Sequence, residues 1–384
     1  MSTLEAALAA LHARDDETRV LLEQLVRVNS YSTNVAGVNA VGGLLRDALR
    51  GLPLASDAQA DALGIMHLTF RTEAAGAPLL LVGHHDTVFP PGEFEGYEVH
   101  GDVASGPGVL DMKGGLAIIV QVLHALHDVD ALAARPLCFV SVGDEEVGSP
   151  RSRALLEALG RDARGALVFE AGRAGDAIIT ARRGSGHGTI VAHGRAAHAG
   201  NALSEGRSAI WTLARYVDRA QQLNGLMPGA SVSVGLIEGG SARNTVPDYA
   251  RAELDLRFAD AEGEAVLTEA LRQLGDEVTG ELEGTRLDVH IHVSRRPWAR
   301  SEASAALCAR YAAAQQAAGL TASEAAPIGG GSDANTLGAL GIAAIDGLGP
   351  RGAGFHTKKE HVSLASLPMK AEALLRFLLS EPTR

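Results

Sequence analysis

The sequence predicts an α/β protein: a mixed, largely parallel sheet with helices on both faces, interrupted by a second domain of β-α-β-β-α-β order. Three observations predict it. Continuous apolar strands alternate with helical stretches in the first half, a strictly alternating strand appears later, and the helix and short-strand pattern resumes after Pro297. At 384 residues the chain exceeds the usual size of one domain, so two cores are expected. The expected boundaries are 1–183 for the first part of a catalytic domain, 184–296 for the inserted domain, and 297–384 for the return.

Taken in order, the strands of the first part are Gly64 to Phe70, Leu79 to Gly83, Leu137 to Val142, Ala166 to Phe169 and Ile178 to Ala181, with a helix of apolar period over Gly114 to His127. The inserted domain reads as a strand near HGTIVAHG, a helix over Ser208 to Leu223, strands at Ser231 to Glu238 and Ala250 to Phe258, a helix over Ala261 to Leu274, and a strand at Leu287 to Ser294. Arg251, Glu253, Asp255 and Arg257 alternate with Ala252, Leu254, Leu256 and Phe258. One covered face and one wet face follow, as in an antiparallel sheet.

Hydrophobic residues make up 46% of the chain and charged residues 21%, which reads as globular and argues against disorder or a membrane span, while the net acidity argues against an anionic-membrane partner. A net charge of −12 argues against nucleic acid, whose binding is driven by Lys and Arg. The first residues are helical in pattern and acidic, unlike a secretory leader. Cys138 and Cys308 are too few for a disulfide framework, so a reducing, cytoplasmic setting is expected.

The chemistry-bearing residues lie where strands end. LLLVGHHDTV delivers His84 at the carboxyl end of a buried strand, where open α/β sheets place their sites. Asp86 follows two residues on, able to orient a metal-bound imidazole. In GPGVLDMKGG, Asp111 sits between a Gly-Pro-Gly bend and a glycine pair, as a helix cap or as a carboxylate reaching inward. Glu145 and Glu146 leave another strand in VSVGDEEVGS, pointing in different directions, so that one is free to ligate a metal and the other to face a bound water; a solvated acidic turn is the alternative. Glu170 follows the strand ALVF, and His356 lies in the glycine-rich GPRGAGFHTKKEH. Together His84, Asp111, Glu146, Glu170 and His356 form an N/O donor set for two metals sharing Asp111, with zinc favoured and cobalt or manganese also compatible.

The order HHDTV, GPGVLDMKGG, GDEEVGS, FEAGR, GRAAHAG, ARNTVPD, GGGSDAN and GFHTKKEH resembles the metallopeptidase family M20, and within it the glutamate carboxypeptidase (carboxypeptidase G2-like) branch. The resemblance implies a zinc-peptidase-type fold with a ferredoxin-like lid used for dimerisation. It places His84 and Glu170 on one or other of two Zn2+ ions, Asp111 as their bridge, Glu146 and His356 completing the sites, and Glu145 as general base. It further implies that Asp86 orients His84 and that the peptide bond after Asp111 is cis. The resemblance also makes His198, which by itself reads as a surface histidine, a catalytic group brought in from outside the metal centre. Asn244 and Arg257 match family positions that hold substrate, although Arg257 taken alone reads as cross-strand paired with an acidic neighbour on the wet face, and the IGGGSDAN loop, with Gly330, is assigned to backbone contacts with substrate. Met112 departs from the family pattern, which often has an acidic or polar residue there, and His85 adds an imidazole read as a hydrogen-bonded loop histidine.

The activity implied is hydrolysis of the amide bond in a small peptide or N-acyl amino acid, releasing a C-terminal, glutamate-like residue, by a homodimer. Rival readings are an N-acyl amino acid deacylase of the acetylornithine or succinyl-diaminopimelate type, a dipeptidase or aminopeptidase, and a catalytically dead binding protein. Glu170, where aminopeptidase branches carry Asp, disfavours the aminopeptidase, and Glu145 argues against the dead protein.

Overall fold

The computed structural model describes residues 2–382 and divides into two compact units. The first comprises residues up to Thr180, Arg300–Pro327 and Ser332 onward; the second comprises Ala181–Ala299 with Ile328–Gly331.

In the first unit, helices α1 (Thr3–His12), α2 (Asp15–Arg27) and α3 (Val35–Ala48) precede the sheet. Asp15, Asp16 and Glu17 sit in the first turn of α2, where the positive end of the helix dipole favours them, while Leu22, Leu25 and Val26 are buried. The strands are β1 (Ala55–Ala60), β2 (Met66–Arg71), β3 (Leu79–His84), β4 (Leu137–Val142) and β5 (Gly165–Val168). They lie in the order β1-β2-β4-β3-β5, and the short strand Ala344–Ile345 closes the edge beside β5. The pairs β1–β2 and β2–β4 are antiparallel; β4–β3, β3–β5 and the last pair are parallel. Every residue of β3, β4 and β5 is buried, so helices and loops cover both faces.

Between β3 and β4 runs helix α4 (Gly114–Asp128), buried on nearly every side. Gly115 permits this: a Cβ there would sit 2.2 Å from the Phe169 carbonyl oxygen. Helix α5 (Arg153–Arg161) follows β4, and Glu302–Ala317, Asp333–Ala339 and Ser366–Ser380 are the helices of the returning segment. Two details differ from the sequence expectation. Residues 178–181 make only single bridges, Ile178 to Glu324 and Ile179 to Asp346, because their neighbours are themselves loops. Strand β1 carries no apolar alternation, since as an exposed edge it buries no side chain fully.

The second unit contains β6 (Gly184–His193), α6 (Ala209–Gln221), β7 (Ser231–Gly239), β8 (Tyr249–Phe258), α7 (Ala261–Glu281) and β9 (Arg286–Arg295). Its sheet, β7-β8-β6-β9, is antiparallel throughout. Ser208 and Asp260 cap the two helices by accepting from the Trp211 and Gly263 N–H groups. Ile190, Leu213, Tyr216, Leu254, Leu256, Phe258, Leu267 and Leu271 form its core. The alternating strand therefore faces its apolar half inward and Arg251, Glu253, Asp255 and Arg257 outward, the ferredoxin-like arrangement. Ile328–Gly331, placed by sequence in the returning catalytic segment, belongs to this unit instead: the Gly330 carbonyl accepts from the Arg182 guanidinium at 2.7 Å and the Ile328 carbonyl from the Arg183 N–H at 2.9 Å.

Candidate metal centre

Strand register in the first unit brings the donors together. Val82 of β3 pairs with Val168 of β5, so His84 and Glu170, each two residues further on, emerge level. His84 also pairs with Val142 of β4, and the turn after Val142 carries Glu145 and Glu146. Asp111 comes from a loop in which Gly108, at φ +72°, turns the chain where a Cβ would meet Thr87 at 2.5 Å. The Asp111–Met112 peptide bond is cis. His356, at φ +61°, projects from the late loop.

The resulting distances divide the set around one carboxylate. His84 Nε2 lies 3.4 Å from Asp111 Oδ1 and 3.8 Å from Glu170 Oε2. His356 Nε2 lies 3.3 Å from Asp111 Oδ2 and 3.1 Å from Glu146 Oε2. Glu145 stands beside the first group, its carboxylate within 4.8 Å of the His84 and Glu170 donor atoms. All five predicted ligands, with Glu145, thus converge in one unit.

Asp86, fully buried, ties the centre together. His84 Nδ1 lies 3.1 Å from the Asp86 backbone carbonyl and 3.3 Å from Asp86 Oδ1; Oδ1 also accepts the Glu145 N–H at 3.1 Å, and Oδ2 accepts the Glu146 N–H at 3.1 Å and the Ser32 hydroxyl at 2.7 Å. Asp86 therefore orients the His84 imidazole through both its carbonyl and its carboxylate, and the carboxylate fixes the turn bearing Glu145 and Glu146. Ser32 carries no sequence signal and was missed. Met112, the departure from the family pattern, packs behind His84, whose N–H points at its sulfur at 3.2 Å. His85 turns away to Ser141 Oγ at 2.9 Å, and burial pushes its pKa down to about 3.

Burial and crowding shift the charges of this cluster. Burial, with the Asp111 and Glu145 charges adding and His356 and His84 opposing, pushes Glu146 up to about 8. Burial and Asp111 push Glu170 up to about 8, against His84. Hydrogen bonds to Asp111 and Glu146 raise His356 to about 10. Burial lowers the His84 pKa, but Glu170, Asp111 and Asp86 outweigh it and hold the imidazole well above its ordinary value. His84 Nε2 and Asp111 Oδ1 are buried without any hydrogen-bond partner. Orphaned buried donor atoms among crowded carboxylates fit a divalent cation, and imidazole with carboxylate is a zinc-type donor set.

A third group, Asp61, His67 and Asp144, does not fit. The Gly143 N–H already donates to His67 Nδ1, and Arg151 already neutralises Asp61. It is an ion network that braces the turn before Glu145.

The remaining predicted residues lie in the second unit. His198 pairs with Thr245 on a two-residue ladder, and the Asn244 carbonyl accepts from the Ala199 N–H at 2.9 Å, so His198 and Asn244 are neighbours. His198 Nδ1 accepts from the Gly200 and Asn201 N–H groups, which places the ring proton on the exposed Nε2. Arg257 is engaged by an acidic neighbour. On the wet face it is held by both oxygens of Asp255 at 2.8 and 2.9 Å, because residues two apart on a strand share a face. Gly330 is exposed, its carbonyl engaged by Arg182.

Comparison with known proteins matches this architecture. The chain is 28% identical over 379 residues to carboxypeptidase G2 of Pseudomonas sp. (strain RS-16), covering 96% of this chain and 90% of the relative. It is 29% identical over 347 residues to a succinyl-diaminopimelate desuccinylase of Xanthomonas oryzae pv. oryzae (strain PXO99A), covering 83% and 89%. A tripeptidase structure from Staphylococcus aureus subsp. aureus Mu50 has the same fold, with TM-score 0.76 at 22% identity over 95% of this chain and 97% of that one. Residues 80–380 match the profile described as peptidase family M20/M25/M40. With the donor cluster assembled at the strand ends and the match spanning most of the chain, this protein belongs to peptidase family M20/M25/M40.

Proposed function

We propose that the protein is a two-zinc amide hydrolase that releases a C-terminal, glutamate-like amino acid from a small peptide or N-acyl amino acid. The observation that carries the reading is the position of Asp111: one oxygen lies against His84, which neighbours Glu170, and the other lies against His356, which neighbours Glu146. Asp111 would then be held in common by two ions, with His84 and Glu170 available to one and Glu146 and His356 to the other. Zinc ions held there supply Lewis acidity and lower the pKa of a bound water towards about 7; cobalt or manganese would serve the same donors.

Glu145 is the proposed base. Its backbone is pinned by Asp86 and its carboxylate stands beside His84 and Glu170, so it takes the proton of the attacking water and passes it to the leaving amine. From the second unit, His198 is the proposed oxyanion donor, consistent with the proton on its Nε2. Asn244, Gly330 and Arg257 are proposed to hold substrate, Arg257 exchanging Asp255 for the substrate carboxylate.

Similarity to carboxypeptidase G2 supports the carboxypeptidase reading. Similarity to desuccinylases supports a second, in which the same centre removes a dicarboxylic acyl group. A homodimer is proposed through the edge strand β7, whose Leu236 and Ile237 are exposed. Because Cys138 and Cys308 are buried free thiols, a cytoplasmic setting is proposed. The deciding experiment is a hydrolysis panel of C-terminal glutamyl peptides, their amides and N-succinyl amino acids, with and without zinc. Zinc-dependent cleavage of glutamyl acids supports the first reading, selective desuccinylation replaces it with the second, and no zinc-dependent amide hydrolysis overturns both.

A further inference from the structure

The geometry points to Glu360 as a positioning residue that locks Asp111 and His356 into one metal-binding half, an inference that rests on the two-metal reading above. The loop carrying Asp111 cannot satisfy its own backbone. Its Gly108, Leu110 and Asp111 N–H groups converge instead on the Glu360 carboxylate, each at 2.9 Å. Glu360 is 1% exposed, so these donors have no water to turn to. Three amides on one anion fix the path of the chain through Asp111.

Glu360 also belongs to the loop that carries His356. The Glu360 N–H donates to the Thr357 carbonyl at 3.0 Å, and the Thr357 N–H donates to that of Gly354 at 3.0 Å. Gly354, at φ +80°, leaves no room for a side chain, since a Cβ would lie 2.5 Å from the Lys359 oxygen. His361, the next residue, is paired with Ser105 on the strand that leads into the Asp111 loop. A closed ring results: Asp111 Oδ2 to His356 Nε2, along the tight loop to Glu360, and from its carboxylate back to the Asp111 N–H. Asp86 serves the turn of Glu145 and Glu146 and the His84 ring in a comparable way. Glu360 thus acts on the His356 half twice, through both Asp111 and His356. It acts on the His84 half once, through Asp111 alone, because His84 and Glu170 are fixed by strand ends.

The test is Zn2+ titration of apo-protein by calorimetry, with Co2+ uptake followed by visible absorption, in wild type, Glu360→Gln and Glu360→Asp. Glu381→Gln serves as a matched control, another buried carboxylate that holds Arg164 and Arg310. Glu360→Gln should weaken one equivalent by roughly 10–100-fold, the usual effect of removing a group that orients a ligand. The other equivalent should change several-fold less, Glu360→Asp should lie between Glu360→Gln and wild type, and Glu381→Gln should leave both equivalents unchanged. If Glu360→Gln does not fold, Glu360→Asp must still weaken one equivalent more than the other. Wild-type affinity for both equivalents, or parallel loss of both, overturns the inference. A wild type that binds fewer than two equivalents overturns the two-metal reading instead.

Discussion

Replacing Asp86 with Asn tests how the centre is held. The carboxylate takes the Glu145 and Glu146 N–H groups, the Ser32 hydroxyl and His84 Nδ1, two contacts on each oxygen. An amide keeps one oxygen, and its NH2 must replace the other. Whichever way it turns, one backbone N–H then faces an N–H and goes unsatisfied in a fully buried position. The Ser32 hydroxyl can rotate to accept, but the backbone amides cannot. One such orphan costs about 1–3 kcal/mol, which for a unit of this size lowers the melting temperature of the apo-protein by about 2–12 °C. Loss of the anion beside His84 should also weaken zinc by roughly 10–100-fold. Scanning calorimetry of the apo-protein and competition with a chelator measure the two effects separately. Unchanged melting temperature with unchanged zinc affinity would refute the role assigned to Asp86.

Glu145→Gln should retain metal and lose at least about a hundredfold in kcat, since an amide cannot carry the proton; steady-state turnover near wild type would remove Glu145 from the mechanism. Arg257→Ala should cost roughly 2 kcal/mol of the preference for a C-terminal acid over its amide, whereas Asp255→Asn, by releasing the guanidinium, should strengthen that preference. If acid-to-amide ratios of kcat/KM move in neither variant, the carboxylate is held elsewhere. Asp176 is fully buried and paired with Arg351 and Lys370; burial alone would raise its pKa, but these cations and Thr321 hold it well below the usual range. A depressed carboxylate stabilises the fold above the unfolded value of about 4 and loses that contribution as pH falls through the folded value. The stability advantage of wild type over Asp176→Asn should therefore be full at neutral pH and shrink below about pH 4; an advantage that grows on acidification, in denaturation profiles taken across that range, would contradict the pairing.

The donors were legible because each follows a continuous apolar strand or a glycine-rich bend, and a parallel sheet brings such ends to one edge. His84, Glu146 and Glu170 could be read in this way. Their division into two groups could not, because it depends on how two loops far apart in sequence meet at Asp111. Glu360 lay within a motif that was noticed, but its partners are backbone amides some 250 positions away, which side-chain patterns do not record. Strand β1 was hidden because ASDAQA buries no side chain fully, only Ala58 packing in part against the core. Arg257 shows the opposite limit. Alternation correctly placed it on the wet face, but the same period of two that exposes it also sets Asp255 beside it.

The central claim, that Asp111 joins two metal sites, is tested most directly by zinc titration of the apo-protein at pH 7 in buffers of different ionisation enthalpy. Burial and the neighbouring Asp111 charge hold the Glu146 and Glu170 carboxyls well above the usual carboxylate range, so a cation binding there displaces protons. The account predicts two zinc ions per chain, release of more than one proton, and loss of both binding events in Asp111→Ala. One equivalent or none in an active preparation, or two equivalents surviving in Asp111→Ala, would contradict it.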